Sequence, residues 1–413
     1  MAVTLESYRD VCGEAVISHL MQLASLLKGQ KVVHVNSTRY GGGVSEILER
    51  MVPLMNELGL DAYWEVIDGD PDFYDFTKTV HNGLQGNPVI LNEKQLGLYR
   101  TVNEHNANIL REKLSDADFV IIHDPQPAAL LSFFPERKGK WIWRCHIDVS
   151  RPNNRVWKFL RAHVKDYDAS IWSLPEFARN LPHVQYLIPP SIDPLSDKNR
   201  ELSHGKIKDA YKLADVDPDR PIILQVSRFD RFKDPIGVIE AYRLASKYLP
   251  LQLILAGGEA RDDPESDEVL NEVRNSASGD PDIHILLLPP SADLEINALQ
   301  RIADVVIQKS TREGFGLTVT EGMWKGKPVI GGAVGGIKLQ VIDHHTGFLV
   351  HSPEGAAMRI KYLFMRPDTM KMMGSKAREF VRDNFLITRH LREYLTLLVA
   401  ISRKTGDRIN LRS

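Results

Sequence analysis

The sequence predicts an α/β protein made of two Rossmann-like domains, and three observations lead to this prediction. The chain has 413 residues, which at about 150 residues per domain corresponds to two or three domains. Short apolar, β-branched runs alternate with helical patterns along most of the chain, and such alternation indicates βαβ units with mostly parallel sheets. The alternation weakens between Ile188 and Asp219 and then restarts, so we expect the two domains to join near residue 190.

The first domain is expected to span residues 1–189, and its first strand is predicted at Lys31–Asn36. A glycine turn at 41–43 follows this strand. The segment Val44–Leu58 then carries apolar residues at helical spacing, which predicts an amphipathic helix. Four further apolar runs predict the remaining strands, at 62–67, 119–122, 141–145 and 169–172.

The second domain is expected to span residues 190–385. Its predicted elements are a helix at 235–244 and strands at 221–227, 251–256, 283–287, 305–308 and 328–330. The chain is helical again from about residue 368, and a C-terminal helix at 386–413 could complete the first domain. Open α/β sheets bind ligands at the carboxyl ends of their strands, so we expect the two domains to face each other across a ligand-binding cleft.

Composition excludes several classes of protein. The 52 Lys and Arg nearly balance the 54 Asp and Glu, which argues against a protein that binds nucleic acid over a broad basic surface. Two cysteines, Cys12 and Cys145, are too few for a disulfide framework or a thiolate zinc site. Charged residues interrupt the apolar positions near the N-terminus, and no run of about 18 apolar residues occurs. We therefore expect a soluble, cytoplasmic protein that binds neither membranes nor nucleic acid.

The glycine turn after the first predicted strand is the first candidate binding feature. Gly42 and Gly43 would let the backbone approach a ligand closely, and the following helix offers unpaired N–H groups to an anion such as phosphate. The turn lacks the Lys-Ser/Thr ending of a P-loop and the G-x-G-x-x-G of a dinucleotide site. A tight turn that binds no ligand is the alternative.

A cluster of cations follows the first predicted strand of the second domain. Arg228, Arg231 and Lys233 stand close together at the carboxyl end of that strand. Guanidinium and ammonium groups in this position suit a doubly charged anion such as a nucleotide diphosphate. The alternative is a solvated surface loop whose charges bind no ligand.

The third feature is a glycine-rich turn that runs into an apolar helix start. Glu313 precedes the turn and Glu321 follows eight residues later, with Gly316, Leu317 and Thr318 between them. The amides at a helix start suit phosphate oxygens. A carboxylate on either side can accept hydrogen bonds from hydroxyl groups, which matches a sugar on one side of a diphosphate and a ribose on the other.

Together, these motifs resemble those of retaining glycosyltransferases of family 4, which have the GT-B fold. The run from Glu313 to Glu321 is similar to the Glu-x7-Glu signature of that family. The glycine turn, the cation cluster and the segment His345–Val350 fall in the family's order, so the resemblance covers the chain from about Lys31 to Phe385. It implies two Rossmann-like domains that face a cleft, with C-terminal helices, and sugar transfer that retains the anomeric configuration.

A narrower resemblance lies in the segment Val66–Gly86. This segment is similar to the trehalose glycosyltransferring synthases of thermophilic archaea and bacteria, and fungal trehalose phosphorylases look related in the same region. The resemblance implies that glucose moves from a nucleotide-glucose, with UDP, ADP or GDP as the nucleotide, to free glucose. The product would be α,α-trehalose, and the reaction would be reversible.

The resemblance also implies roles for residues of the second domain. Arg228 and Lys233 would hold the diphosphate of the leaving nucleotide. Glu313 would bind hydroxyls of the donor sugar and Glu321 those of the ribose. The amides of Gly316–Thr318 would contact the distal phosphate.

In the first domain, the resemblance implies that Gly42 and Gly43 approach the donor. Asp124 and His146 follow predicted strands and resemble the Asp and His positions of related sugar-joining enzymes. We expect both beside the donor glucose and the acceptor, with a purely structural histidine as the alternative for His146. Together with the two cations and Glu313, they form the expected catalytic set.

We expect no obligatory cofactor and no metal site. Asp-x-Asp pairs such as Asp68–Asp70 recur along the chain, so they carry no weight as a metal motif, and Mg²⁺ could assist only through the nucleotide. The expected partners are a nucleotide-glucose and glucose or trehalose, with assembly as a homodimer. The alternatives are a trehalose phosphorylase, a transferase with a sucrose-type or lipid acceptor, a non-catalytic nucleotide-sugar sensor and a sugar-nucleotide epimerase.

Overall fold

The computed structural model describes residues 3–40, 42–258 and 264–403. The chain divides into two compact units: unit 1 comprises Met1–Pro190 and Ile387–Ser413, and unit 2 comprises Ser191–Leu386. The division expected between residues 189 and 190 thus falls one residue later. Gly41 of the glycine turn and residues 404–413 of the expected C-terminal helix lie outside the described residues.

Unit 1 is built on a parallel sheet, whose described strands follow the order β2-β1-β3-β4-β5-β6. The strands are β1 (Lys31–Asn36), β2 (Asp61–Val66), β3 (Phe119–His123), β4 (Lys140–Arg144), β5 (Ala169–Trp172) and β6 (Val184–Leu187). The helices along this part of the chain are α1 (Arg9–Cys12), α2 (Glu14–Ser25), α3 (Gly43–Glu57), α4 (Pro71–Leu84), α5 (Glu93–Ile109), α6 (Arg111–Ser115) and α7 (Asn154–Val164).

The centre of the unit 1 sheet is buried, as its continuous apolar runs predict. Every residue of β3 is buried, and so are all but the first residue of β1 and β4. Strands covered on both faces of a parallel sheet are typically apolar along their whole length. The register places His123 beside Arg144, so polar residues near the carboxyl ends of β3 and β4 share one sheet edge.

Unit 2 has the same architecture, and its described strands follow the order β12-β11-β10-β7-β8-β9. The strands are β7 (Ile222–Val226), β8 (Gln252–Gly258), β9 (Ile283–Leu288), β10 (Val305–Gln308), β11 (Val329–Gly332) and β12 (Gly347–Val350). The helices are α8 (His204–Ala214), α9 (Pro235–Ser246), α10 (Pro264–Ala277), α11 (Asp293–Ile302), α12 (Leu317–Trp324), α13 (Ile337–Gln340), α14 (Pro353–Phe364) and α15 (Pro367–Asn384). Because β7 and β10 are parallel neighbours, the loops that follow them lie at the same edge of the sheet.

The last described helix, α16 (Ile387–Ser402), returns to unit 1 and packs against α2 and α3. The buried guanidinium of Arg389 fixes its start, because Nη1 donates to the Pro189 carbonyl at 3.0 Å and Nη2 to the Pro190 carbonyl at 2.8 Å. The helix expected at 386–413 thus begins one residue later than predicted.

The predicted fold class is confirmed, with a Rossmann-like parallel sheet in each unit. Of the four edge strands in the described sheets, sequence analysis predicted β2 and β9 but missed β6 and β12, and it assigned no bounds to several helices, among them α4, α5, α7, α11 and α14. The ends of β6, Val184 and Leu187, are exposed, so this edge strand lacks the long apolar run that marks a central one. Across the described ranges, every helix is too short or too polar to cross a membrane.

Candidate active site

The loops after β7 and β10 bring Lys233 and Glu313 into direct contact. Lys233 Nζ donates to Glu313 Oε2 at 2.5 Å, and the two side chains are 18% and 9% exposed. Ser310 Oγ donates to the same carboxylate oxygen at 3.2 Å. Two residues 80 positions apart in the chain therefore form a nearly buried ion pair at the sheet edge.

Backbone contacts hold these two loops against each other. The Thr311 N–H donates to the Phe232 carbonyl at 2.8 Å. The Lys233 carbonyl accepts from Nε2 of Gln225, a buried residue of β7, at 2.9 Å. The position of the lysine is thus set by the strand and by the neighbouring loop, which reduces the entropy lost when it binds a ligand.

The other two cations of the cluster differ in their surroundings. Arg228 is 67% exposed and lies 3.5 Å from Asp230 through Nη2, a long contact that leaves its guanidinium mostly in solvent. Arg231 is held by two carboxylates of α10, with Nη2 3.1 Å from Glu268 and 2.9 Å from Glu272. Arg228 thus has a largely solvent-exposed guanidinium, Lys233 pairs with Glu313, and Arg231 is held by the carboxylates of α10.

The turn between Glu313 and α12 depends on two glycines, one within the turn and one that packs against it from the segment after β11. Gly316 has a φ of +87°, a left-handed conformation that strains any residue with a Cβ. Gly335 lies so close that an added Cβ would stand 1.7 Å from the Glu313 carbonyl oxygen. Gln340 Nε2 also donates to the Phe315 carbonyl at 2.5 Å, so the turn is fixed from both sides.

The start of α12 has the features expected of an anion site. Leu317 is its first residue and Gly316 its N-cap. The first amides of a helix have no partner within the helix, and the helix dipole is positive at this end. The amides of Gly316, Leu317 and Thr318 therefore lie where phosphate oxygens could be bound, immediately after the Lys233–Glu313 pair.

Glu321 lies within α12 and is only 3% exposed. Its Oε2 accepts from Gln300 Nε2 at 3.2 Å. One turn later, burial lowers the pKa of Lys325 to about 7, although Glu321 opposes this shift. Lys325 Nζ donates to the Lys198 carbonyl at 2.6 Å and to Asn199 Oδ1 at 2.7 Å.

The glycine turn of unit 1 is built around a left-handed residue. Gly42 has a φ of +94° and is the N-cap of α3, and Gly43 is the first residue of that helix. Ser45 Oγ donates to the Gly42 carbonyl at 2.8 Å. An added Cβ at Gly42 would meet no atom within 4 Å, so this glycine is required by conformation and not by crowding.

Asp124 and His146 are joined at the carboxyl edge of the unit 1 sheet. The His146 N–H donates to Asp124 Oδ1 at 2.7 Å, and Trp143 Nε1 donates to the Asp124 carbonyl at 3.0 Å. Asp124 has a φ of +66°, which is uncommon for a residue other than glycine. Burial raises its pKa to about 6, against the lowering effects of the His146 amide and the Arg144 charge.

Sequence analysis assigned no role to the two histidines that lead from this pair into the core. His123 Nδ1 lies 3.0 Å from His146 Nε2, and His34 Nδ1 lies 3.1 Å from His123 Nε2. Burial lowers the pKa of His34 to about 3 and the pKa values of His123 and His146 well below the ordinary value. The signals that could have revealed them were a histidine among the valines of β1 and one at the end of the apolar strand β3.

Arg144 is a third buried polar residue to which sequence analysis assigned no role. It is fully buried, and Nη2 donates to Ser173 Oγ at 3.2 Å. Its Nε and Nη1 have no hydrogen-bond partner in the part of the chain that the structure describes. In the same ranges, no three His, Cys, Asp or Glu side chains are arranged as a metal-binding group.

Comparisons with known proteins identify the family. Residues 34–179 match the family model described as "Trehalose synthase, N-terminal domain", and residues 209–380 match "Glycosyl transferases group 1". The chain is 48% identical to a trehalose synthase of Pyrococcus horikoshii over 95% of each chain. The chain belongs to the trehalose synthase family. This member of the trehalose synthase family is accordingly a trehalose-related glycosyltransferase.

Two more distant proteins are also similar to this member of the trehalose synthase family. A trehalose phosphorylase of Pleurotus pulmonarius is 27% identical, over 98% of this chain and 62% of its own length. The solved structure of a sucrose-phosphate synthase from Thermosynechococcus elongatus is 18% identical, with a TM-score of 0.70 over 91% of this chain and 100% of that one. The structural likeness shows the shared GT-B fold of this member of the trehalose synthase family.

Proposed function

We propose that this protein is a retaining glucosyltransferase that moves glucose from a nucleotide-glucose to free glucose and so forms α,α-trehalose. UDP-, ADP- and GDP-glucose are the candidate donors, and the reaction is reversible. The observation that carries the proposal is the Lys233–Glu313 pair beside the glycine turn of α12. It combines a cation for a leaving diphosphate with a carboxylate for sugar hydroxyls in a member of the trehalose synthase family.

The ion pair itself supports a donor that carries both groups. In the free protein, the Lys233 and Glu313 charges compensate each other at 2.5 Å. A nucleotide-sugar would replace this contact with two others, because its phosphate oxygens accept from the ammonium and its sugar hydroxyls donate to the carboxylate. A ligand that supplied only one of these groups would leave the other residue nearly buried without its ion-pair partner, which is costly.

The remaining donor contacts follow the same chemistry. Exposed Arg228 would bind a diphosphate oxygen, and the amides of Gly316, Leu317 and Thr318 would bind the distal phosphate. Glu321 would accept hydrogen bonds from the ribose, in place of or beside its contact with Gln300. In unit 1, Gly42 and Gly43 would lie near the donor, and Asp124 and His146 would face the sugars.

Catalysis would come from stabilising charge as the nucleotide leaves. The bond between the anomeric carbon and the phosphate oxygen lengthens, negative charge grows on the phosphate and the sugar becomes oxocarbenium-like. Lys233, Arg228 and the α12 amides would bind that growing charge more strongly than the charge of the ground state, which lowers the barrier. The acceptor hydroxyl would attack from the departing face and pass its proton to the leaving phosphate, which retains the anomeric configuration.

No metal is needed for this scheme. A divalent ion in phosphate chemistry neutralises charge on the leaving oxygens, and Lys233 and Arg228 would supply that charge here. We therefore expect trehalose formation to continue in EDTA, with Mg²⁺ giving at most a modest stimulation through the nucleotide. Loss of all activity in EDTA, restored by Mg²⁺, would contradict this part of the proposal.

A trehalose phosphorylase is the second candidate, because the Pleurotus pulmonarius relative bears that name. Inorganic phosphate could occupy the anion site at Lys233 and the α12 amides, but it would leave Glu321 without a ribose to bind. The two functions are separated by incubating the protein with trehalose and either UDP, ADP or GDP, or inorganic phosphate. Nucleotide-glucose as the product supports the proposal, whereas glucose 1-phosphate formed only with phosphate would overturn it.

A further inference from the structure

The core of unit 1 contains a chain of three hydrogen-bonded imidazoles. His34 lies in β1, His123 ends β3 and His146 follows β4. Because these strands are adjacent in the order β1-β3-β4, the three rings lie side by side, with N–N distances of 3.1 and 3.0 Å. His34 and His123 are 0% and 2% exposed, whereas His146 is only partly buried.

This arrangement permits only two proton patterns when all three rings are neutral. A neutral imidazole has one N–H and one lone pair, and His123 uses both of its nitrogens in the chain. If His123 carries its proton on Nδ1, it donates to His146 Nε2 and accepts from His34 Nδ1, and the His146 proton then lies on Nδ1. If His123 carries its proton on Nε2, both bonds reverse, and His146 Nδ1 bears a lone pair.

The surroundings of His34, at the buried end of the imidazole chain, decide which of the two proton patterns is favoured. His34 Nε2 is buried and has no hydrogen-bond partner within the described ranges. The second pattern would place a proton on that atom and leave a buried N–H without an acceptor, whereas the first leaves an unused lone pair. Unpaired buried N–H groups are rarer in native proteins than acceptors with unused lone pairs, so the first pattern is favoured.

We propose that His34 and His123 are positioning residues that fix the tautomer of His146, with its proton on Nδ1. The side-chain hydrogen bonds of a histidine decide which of its nitrogens is protonated. His146 would then present an N–H to a substrate oxygen, and its Nε2 lone pair would be occupied by His123. It is thus a hydrogen-bond donor to a sugar hydroxyl and not a general base, a role that rests on the proposed function.

The tautomer can be measured in the free protein. Long-range ¹H–¹⁵N correlations on ¹⁵N-histidine-labelled protein distinguish a protonated ring nitrogen from one with a lone pair, and the spectrum of His146→Gln assigns the His146 signals. We expect His146 to carry its proton on Nδ1 at neutral pH. A proton on Nε2 in the wild-type protein would overturn the proposal without any variant, and the proposed function would be unaffected by that result.

Two variants test whether the inner histidines cause this tautomer. His123→Phe removes the donor to His146, and we expect the His146 signals to shift toward the Nε2–H form. His163→Phe is the matched control, because His163 packs against Tyr99 and Phe159 in the same unit and is not one of the three hydrogen-bonded imidazoles. An unchanged His146 tautomer in His123→Phe, in a sample whose other signals match the wild type, would overturn the causal claim.

Steady-state kinetics of the same variants give a second test, which depends on the proposed function. One neutral hydrogen bond corresponds to about a tenfold change in rate, so we expect His123→Phe to lower kcat about tenfold with little change in donor KM. His123→Asn should retain more activity, because its amide can donate from near the Nδ1 position. Wild-type kcat in His123→Phe would contradict the positioning role, whereas an absence of transfer by the wild-type protein would refute the proposed function alone.

Discussion

The substitution Lys233→Met gives the sharpest test of the donor site. It keeps the apolar stem and removes the ammonium that lies 2.5 Å from Glu313. Loss of one preorganised group that stabilises charge in the transition state lowers kcat by about 10²–10³, or about 3–4 kcal/mol. We expect that loss in trehalose formation, measured as nucleotide release at saturating nucleotide-glucose and glucose.

The same substitution should also affect stability, for a separate reason. Breaking a buried ion pair by removing one partner costs about 3–5 kcal/mol. Because Lys233 is 18% exposed and Ser310 Oγ still bonds Glu313, we expect a smaller loss of about 2 kcal/mol, measured by urea unfolding. Adding Glu313→Gln should restore most of the stability, since no unpaired charge is left, but none of the activity.

Arg231→Met is the matched control for these measurements. Arg231 lies in the same loop, but its guanidinium contacts Glu268 and Glu272 of α10, and exposed pairs of this kind contribute about 0–1 kcal/mol. We expect nearly wild-type kcat from this variant. The assigned role of Lys233 would be refuted if Lys233→Met kept more than about a third of wild-type kcat, which corresponds to a barrier increase of less than about 1 kcal/mol. It would also be refuted if Arg231→Met lost as much activity as Lys233→Met.

Four further substitutions test other parts of the two units. Burial raises the pKa of Asp124 to about 6, whereas its pKa in the unfolded chain is about 4. Between about pH 4 and pH 6 the folded protein therefore holds a proton that the unfolded chain has released, and the free energy of unfolding falls as pH rises through this window. Asp124→Asn should remove that fall and be about 2 kcal/mol more stable than wild type near neutral pH by urea unfolding, discounted for partial exposure. Gly335→Ala should abolish transfer because its Cβ would displace the Glu313 carbonyl, whereas Gly42→Ala should cost about 1–2 kcal/mol through its left-handed φ alone. Glu321→Ala should raise the KM for nucleotide-glucose, measured by initial rates, about tenfold or more through loss of a ribose contact.

Each of these predictions has an outcome that would contradict it. An unchanged pH dependence in Asp124→Asn would mean that the carboxyl does not titrate near pH 6. Normal activity in Gly335→Ala would show that the turn can shift without moving Glu313. A wild-type KM in Glu321→Ala would show that Glu321 does not bind the ribose and would favour the phosphorylase alternative.

The fold class and most strands could be predicted from the sequence, because most strands are short apolar runs. The predicted bounds of β1, β5 and β10 agree with the observed ones, since each is a short β-branched or aromatic run between polar or helical segments. The edge strand β6 was missed because its ends are exposed and its apolar run is interrupted. The edge strand β12 is buried and apolar but only four residues long, and sequence analysis treated it only as part of a family motif. The helix α4 has a polar face, and α5 is mostly polar: two of its four buried residues, Asn103 and Asn106, are amides, so α5 lacks a continuous apolar stripe.

Sequence analysis could identify site residues that lie in a recognisable motif, but not contacts that arise only because particular strands are neighbours in the sheet. Lys233 and Glu313 each follow a strand, so the sequence identified both, but only the adjacency of β7 and β10 brings them into contact. His34 and His123 stand 89 positions apart, and their pairing depends on β1 lying beside β3. A single sequence gives no strand order, so the imidazole chain was not visible in it.

The most direct test of the central claim is the structure of the transfer product. The protein is incubated with nucleotide-glucose and glucose labelled with ¹³C at its anomeric carbon, and the product is examined by NMR. We predict a disaccharide in which both anomeric carbons are linked in the α configuration, with the label in one of two equivalent rings. A β linkage at the transferred glucose, a bond to another hydroxyl, or hydrolysis without any disaccharide would contradict the account.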